Sequence, residues 1–158
     1  MTWTTFHRRR EVLGAVIAAA DARRDGLLPM DVPGVTETFG DELTLLGALQ
    51  LRWHTRLSGH LERALMHQPT DPDEAVLAAW RTTADELPGI RRVLDHQRAE
   101  PADGPMTASL DIARAKERVL LAAMAGCAGA TTEATVAAGR ALEERARASY
   151  RPTAGFAA

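Results

Sequence analysis

Residues 41–68 read DELTLLGALQLRWHTRLSGHLERALMHQ, and this stretch decides the fold. At 100° per residue, Leu43, Leu46, Gly47, Trp53, Leu57, Leu61, Ala64 and Leu65 share one broad face, while Arg52, Arg56 and Arg63 lie largely opposite. Thr38, with Asp41 three residues on, marks the start, acidic Asp41 and Glu42 suit the positive helix end, and Pro69 stops the run. A helix over these residues would be roughly 40 Å long at 1.5 Å per residue, long enough to be the spine of the fold.

Two polar side chains interrupt the apolar face. Gln50 and His54 are four apart and neighbours on the helix surface, and Ser58 continues their line. A polar set inside a core must be hydrogen-bonded or used. The structural reading is a core histidine satisfied by a carbonyl or by a partner such as Arg10. The functional reading is an interior pocket in which Gln50, His54, Ser58 and Arg10 orient a small ligand.

Working outward, a first helix is expected from Thr4 to Arg24, with Trp3, Phe6, Leu13, Ile17 and Ala20 inward and Arg10 on the same line. Gly26, Pro29 and Pro33 make residues 27–34 a connection, and residues 35–39 a short turn. Thr70-Asp71-Pro72-Asp73-Glu74 is the clearest helix start in the chain: Asp71 caps, Pro72 takes the first helical position and Glu74 can reach back to the cap. The helix that follows buries Val76, Leu77, Trp80, Ala84 and Leu87, and Pro88-Gly89 breaks it before a short segment bearing Ile90, Val93 and Leu94. Pro101 and Pro105 make residues 99–106 a mobile loop. A fifth helix follows over Thr107 to Cys127. A sixth runs from Thr131 or Thr132 to Tyr150, its small residues Ala134, Ala137, Ala138, Gly139 and Ala141 permitting close approach of a neighbour. Residues 151–158 read as a frayed tail. The expected architecture is all-α, one domain over 1–158, an antiparallel bundle of five or six helices around the long one.

Composition agrees: 46% of the 158 residues are hydrophobic and only 4% aromatic, which favours helices over strands. A net charge of -2 gives no global field toward nucleic acid, and there is no aromatic stacking platform or basic reading face, so nucleic acid is not expected as a partner. Apolar runs fall short of the roughly 20 residues a membrane span needs, and no signal-type segment follows the basic cluster at 7–10, so a cytoplasmic protein away from the membrane is expected. The single cysteine, Cys127, excludes an internal disulfide and reads as a small buried thiol in a helix.

Signals for chemistry are weak. His60 and His67, seven apart, are roughly 10 Å apart along the helix and cannot share an ion. His7 with Glu11 and His96 with Glu100 have workable spacing but read as solvated ion pairs. No Glu-x-x-His pair, Gly-x-Ser-x-Gly turn or phosphate-cradling loop occurs, so no catalytic residue, metal or cofactor is assigned. Leu45, Leu49 and Leu51 lie off the main stripe of the long helix, surface that a second subunit would cover. The reading that results is a non-enzymatic, self-associating interaction or regulatory module that docks a partner through Arg52, Trp53 and Arg56. A ligand- or metal-binding bundle built on Gln50 and His54 is the alternative.

Overall fold

The computed structural model describes residues 2–152 and contains seven helices. These are α1 (Trp3–Arg23), α2 (Val35–Phe39), α3 (Glu42–Leu65), α4 (Pro72–Glu86), α5 (Pro88–Ala99), α6 (Gly104–Met124) and α7 (Thr132–Ser149), with no strand among the described residues. The protein is all-α.

Most helix starts are written locally. A short oxygen-bearing side chain accepts the N–H three residues on in five places: Thr2 from Thr5, Asp41 from Thr44, Asp71 from Glu74, Asp103 from Met106 and Thr131 from Ala134. Asp41 rather than Thr38 caps α3, because Thr38 already belongs to α2. Pro72 takes the first position of α4 as expected, but Glu74 turns away from the cap to pair with Arg81. Asp103 also corrects the mobile loop expected over 99–106. By capping at 103, with Pro105 harmless in the first turn, it starts α6 early and leaves only residues 100–103 as the connection.

Contacts group the chain into two compact units, each discontinuous in sequence: residues 1–53 with 87–111, and residues 54–86 with 112–158. Unit boundaries fall within the residue ranges of α3 and α6.

In the first unit α1 packs on α5 and α2. Its buried side is Val12, Val16 and Ala20, one residue round from the expected Leu13 and Ile17, and Trp3 and Phe6 are exposed. The reason is at the far end of α1. Gly89 of α5 comes so close that a Cβ there would stand 2.4 Å from the carbonyl carbon of Ala20. α5 has no cap from its own sequence, since Leu87 precedes it, and Asp21 of α1 supplies one by accepting the Gly89 N–H at 2.8 Å. Asp21→Ala should thus behave as the loss of a helix cap, lowering stability by about 1 kcal/mol in urea unfolding although the residue lies outside α5.

The second unit is built on α4, α7 and the parts of α3 and α6 assigned to it, with α4 packed on α7. Trp80, Val76, Leu77 and Ala84 of α4 are buried, as are Leu142 and Ala146 of α7. Of the small residues on α7, Gly139 makes the close approach to α6, whereas Ala134, Ala137 and Ala141 are exposed.

Along α3 the buried side is Leu45, Leu49, Trp53, Leu57 and Leu61, joined by Leu46. A line of every fourth residue drifts about 40° per step round a helix, so a straight stripe cannot follow it. Leu43, expected inside, is exposed, and Leu45 and Leu49, expected on an open second surface, are fully buried. Of the three leucines expected under a second subunit only Leu51 is exposed. Cys127 is another correction: α6 ends at Met124, and the thiol lies beyond it, exposed. Of the expected frayed tail, Arg151 and Pro152 are non-helical, and the rest lies outside the described residues.

Candidate functional site

The polar residues expected to form an interior pocket are assigned to both units. Gln50 is half-buried in the first unit with its amide engaged by α6: Ser109 Oγ donates to Gln50 Oε1 at 3.2 Å, and Gln50 Nε2 faces the Ser109 carbonyl at 3.5 Å. It therefore serves as a link between α3 and α6. Arg10 is exposed on α1. His54 and Ser58 are half-buried and belong to the second unit, whose boundary falls directly after Trp53.

The residues expected to dock a partner differ in exposure. Trp53 is only 2% exposed, with the guanidinium of buried Arg91 4.5 Å from its ring centroid and Arg91 in turn bonded to Asp95 at 2.8 Å. At 2% exposure and covered by Arg91, Trp53 presents no open surface. Arg52 is exposed. Arg56 is committed to Glu86 at 2.5 Å, and His60 Nε2 stands 3.0 Å from the same carboxylate oxygen. Arg63 approaches His60 Nδ1 at 2.8 Å. A guanidinium only donates, so Nδ1 is the acceptor in this pair. The close approach of His60, then the hydrogen bond from Arg56, holds the Glu86 carboxyl below its ordinary range. This group ties the second half of α3 to the end of α4.

The most concentrated charge lies in the second unit, on residues not singled out in the sequence. Glu143 of α7 is 1% exposed. Its Oε2 accepts from Arg118 Nε at 2.7 Å and faces Arg114 Nε at 3.5 Å, while its Oε1 accepts from Arg147 Nε at 3.0 Å. Burial pushes this carboxyl up, but the Arg118 hydrogen bond and the charges of Arg147, Arg114 and Arg118 outweigh it and hold the group at about 2. Beside them Trp80 Nε1 donates to buried Glu117 at 3.0 Å, Arg147 lies over the Trp80 ring at 5.3 Å, and Tyr150 meets that ring edge-on at 5.9 Å.

A signal for this cluster was present. Gly139, Leu142, Glu143 and Ala146 fall on one face of α7, so Glu143 interrupts an apolar line as Gln50 does, and Glu117 interrupts Leu110 and Leu121 on α6. Arg114 with Arg118, and Glu143 with Arg147, are each four apart.

Chemically, Glu143 held at about 2 stays a carboxylate near neutrality beside guanidiniums that stay charged, so these four side chains form a fixed set of charges. Among the described residues no three His, Cys, Asp or Glu side chains are gathered to hold a metal ion, and no helix is long and apolar enough to cross a membrane. No family model matches the chain, and neither the curated proteins nor the solved structures contain a match.

Proposed function

We propose that the chain is a non-enzymatic cytoplasmic interaction module whose docking surface is the start of α1, and that its partner is a protein segment both acidic and apolar. One observation carries this reading. Trp3 is 78% and Phe6 57% exposed, three residues apart on one helix, whereas Trp53 and Trp80 are buried. His7 packs against both rings, at 3.8 Å from Trp3 and 6.2 Å from Phe6, which holds them side by side. Adjacent exposed aromatics on a fixed helix are typical contact anchors.

Charge selects the partner. Residues 2–10 contain Arg8, Arg9 and Arg10 and no carboxylate. Arg9 is held over Phe39 at 4.6 Å, whereas Arg8 and Arg10 are exposed. Two copies of this surface laid together would oppose arginine to arginine, while an acidic segment would complement it. The two rings offer on the order of 250 Å² of apolar surface. That is far below the roughly 1,200 Å² of a stable interface, so they serve as the anchor of a wider contact.

The test places a photo-crosslinking residue at exposed position 4, beside Trp3, in the full chain in its native cell. A single protein joined through an acidic, apolar peptide is expected, with capture lost in Phe6→Ala and Arg10→Glu. Trp3→Ala should weaken the purified complex about 30-fold, the roughly 2 kcal/mol of an aromatic anchor. Crosslinks only to a second copy, only to lipid, or unchanged by Phe6→Ala would overturn the reading.

A further inference from the structure

We propose that His7 makes the docking surface on α1 pH-sensitive, so that an acidic, apolar partner is held more tightly when the imidazole carries a proton. This response rests on the start of α1 being the docking site, and adds the regulation of that site. Imidazole is the side chain whose charge ordinarily changes between about pH 5 and 8. His7, the one histidine of α1, stands within the aromatic patch rather than beside it. It is half-buried, its ring 3.8 Å from Trp3 and 6.2 Å from Phe6, inclined to them at 65° and 80°. A partner that covers the exposed faces of Trp3 and Phe6 therefore meets His7 as well.

Protonation acts in two ways. A cation is attracted to an indole ring within roughly 6 Å, so an imidazolium at 3.8 Å tightens the contact that steadies Trp3. It also adds a third positive charge to those of exposed Arg8 and Arg10, whereas Arg9 is already engaged over Phe39. The surroundings leave this charge for a partner. On its own helix His7 is followed by Arg8, Arg9 and Arg10, with Glu11 exposed one turn on. α2, packed on α1, carries a single charged residue, Glu37, also exposed. His7 forms no ion pair with either carboxylate. α5 meets α1 at Ala20, Asp21 and Arg24. Those residues lie roughly 20 Å farther along at 1.5 Å per residue, so Arg91, Arg92, Asp95, His96 and Arg98 of α5 do not face the imidazole. Binding and protonation are then linked in both directions: a partner favoured by the proton also favours the proton.

The probe is a rhodamine-labelled peptide in which aspartate alternates with leucine, its carboxylates ionised throughout the range used. Binding to the full chain should tighten about threefold from about pH 8 to about pH 5.5, the effect of one added charge at an exposed surface. Saturating peptide at about pH 6.5 should move the His7 ring resonances toward their protonated positions in an NMR spectrum. His7→Gln should bind the peptide equally at both pH values, whatever its absolute affinity. His7→Lys should also be insensitive to pH, and should bind more tightly than His7→Gln. Equal wild-type affinities at the two pH values, with binding still lost in Phe6→Ala, would overturn the pH response and leave the docking surface standing. A pH effect that persists in His7→Gln, or His7 resonances unmoved by bound peptide, would overturn it equally. Binding unchanged by Phe6→Ala, or absent at both pH values, would overturn the docking surface and the pH response together.

Discussion

Gly139→Ala should be the most destabilising single methyl that can be added to the described part of this chain. Gly139 lies on the buried side of α7, and a Cβ built there would stand 1.8 Å from the carbonyl oxygen of Arg118 and 2.4 Å from its carbonyl carbon. Backbone atoms of a packed helix cannot swing aside as the end of a long side chain can. The methyl is accommodated only if α6 and α7 separate, and separation also lengthens the Arg118–Glu143 bond, now 2.7 Å. Overpacking in a core costs about 1–3 kcal/mol when side chains can adjust, so a cost of about 3 kcal/mol or more is expected here. Urea unfolding of the full chain measures it. Alanine normally favours a helix over glycine by nearly 1 kcal/mol, so a neutral or stabilising result would show that the close approach of α6 and α7 is wrong. The opposite sign is expected at Gly47, also in a helix, where an added Cβ meets nothing within 4 Å.

Glu143→Gln is expected to have an effect of similar size by a different route. The substitution preserves shape but removes the negative charge around which Arg114, Arg118 and Arg147 are gathered. Breaking a buried ion pair from one side costs about 3–5 kcal/mol, because the remaining charge is left uncompensated. The partial exposure of Arg114 and Arg147 places this case near the lower end. The same carboxylate sets an acid limb of stability. Its pKa is about 2 in the folded chain against an ordinary 4.5, so the unfolded chain binds the proton more readily. The stabilisation is complete above about pH 4.5 and disappears as the pH falls toward 2. Glu143→Gln should be less stable than wild type at pH 7, and the gap should narrow steadily below pH 4.5. A gap of constant size from pH 7 to pH 2 would show that Glu143 is not held as a carboxylate by its arginines.

How far the primary structure could be read depends on the range of the forces concerned. Helix type and position were legible because periodicity, a capping Asp or Thr and a breaking Pro act within a turn or two, as at Asp71-Pro72 and Thr131. At 99–106 two prolines point to a loop and outweigh in the sequence the one signal that decides the structure, Asp103 at the cap. Burial was less legible: Leu43 and Leu45 are equally apolar, and only the neighbours of α3 decide that the second is inside. The same holds for Trp3 and Trp53, whose exposures are 78% and 2%.

For the site, the polar interruptions of apolar faces were visible in outline, but their partners were not. Gln50 is met by Ser109, 59 positions away, and Glu143 by Arg118, 25 positions away. Thus local chain chemistry by itself determined an all-α protein, the number of its main helices to within one or two, and where most of them begin. Tertiary structure alone decided which side of each helix faces inward, which aromatics remain in solvent and which charges are gathered together. Hydrogen bonding and steric preference along a helix are settled by adjacent residues, whereas burial and ion pairing depend on how distant segments pack.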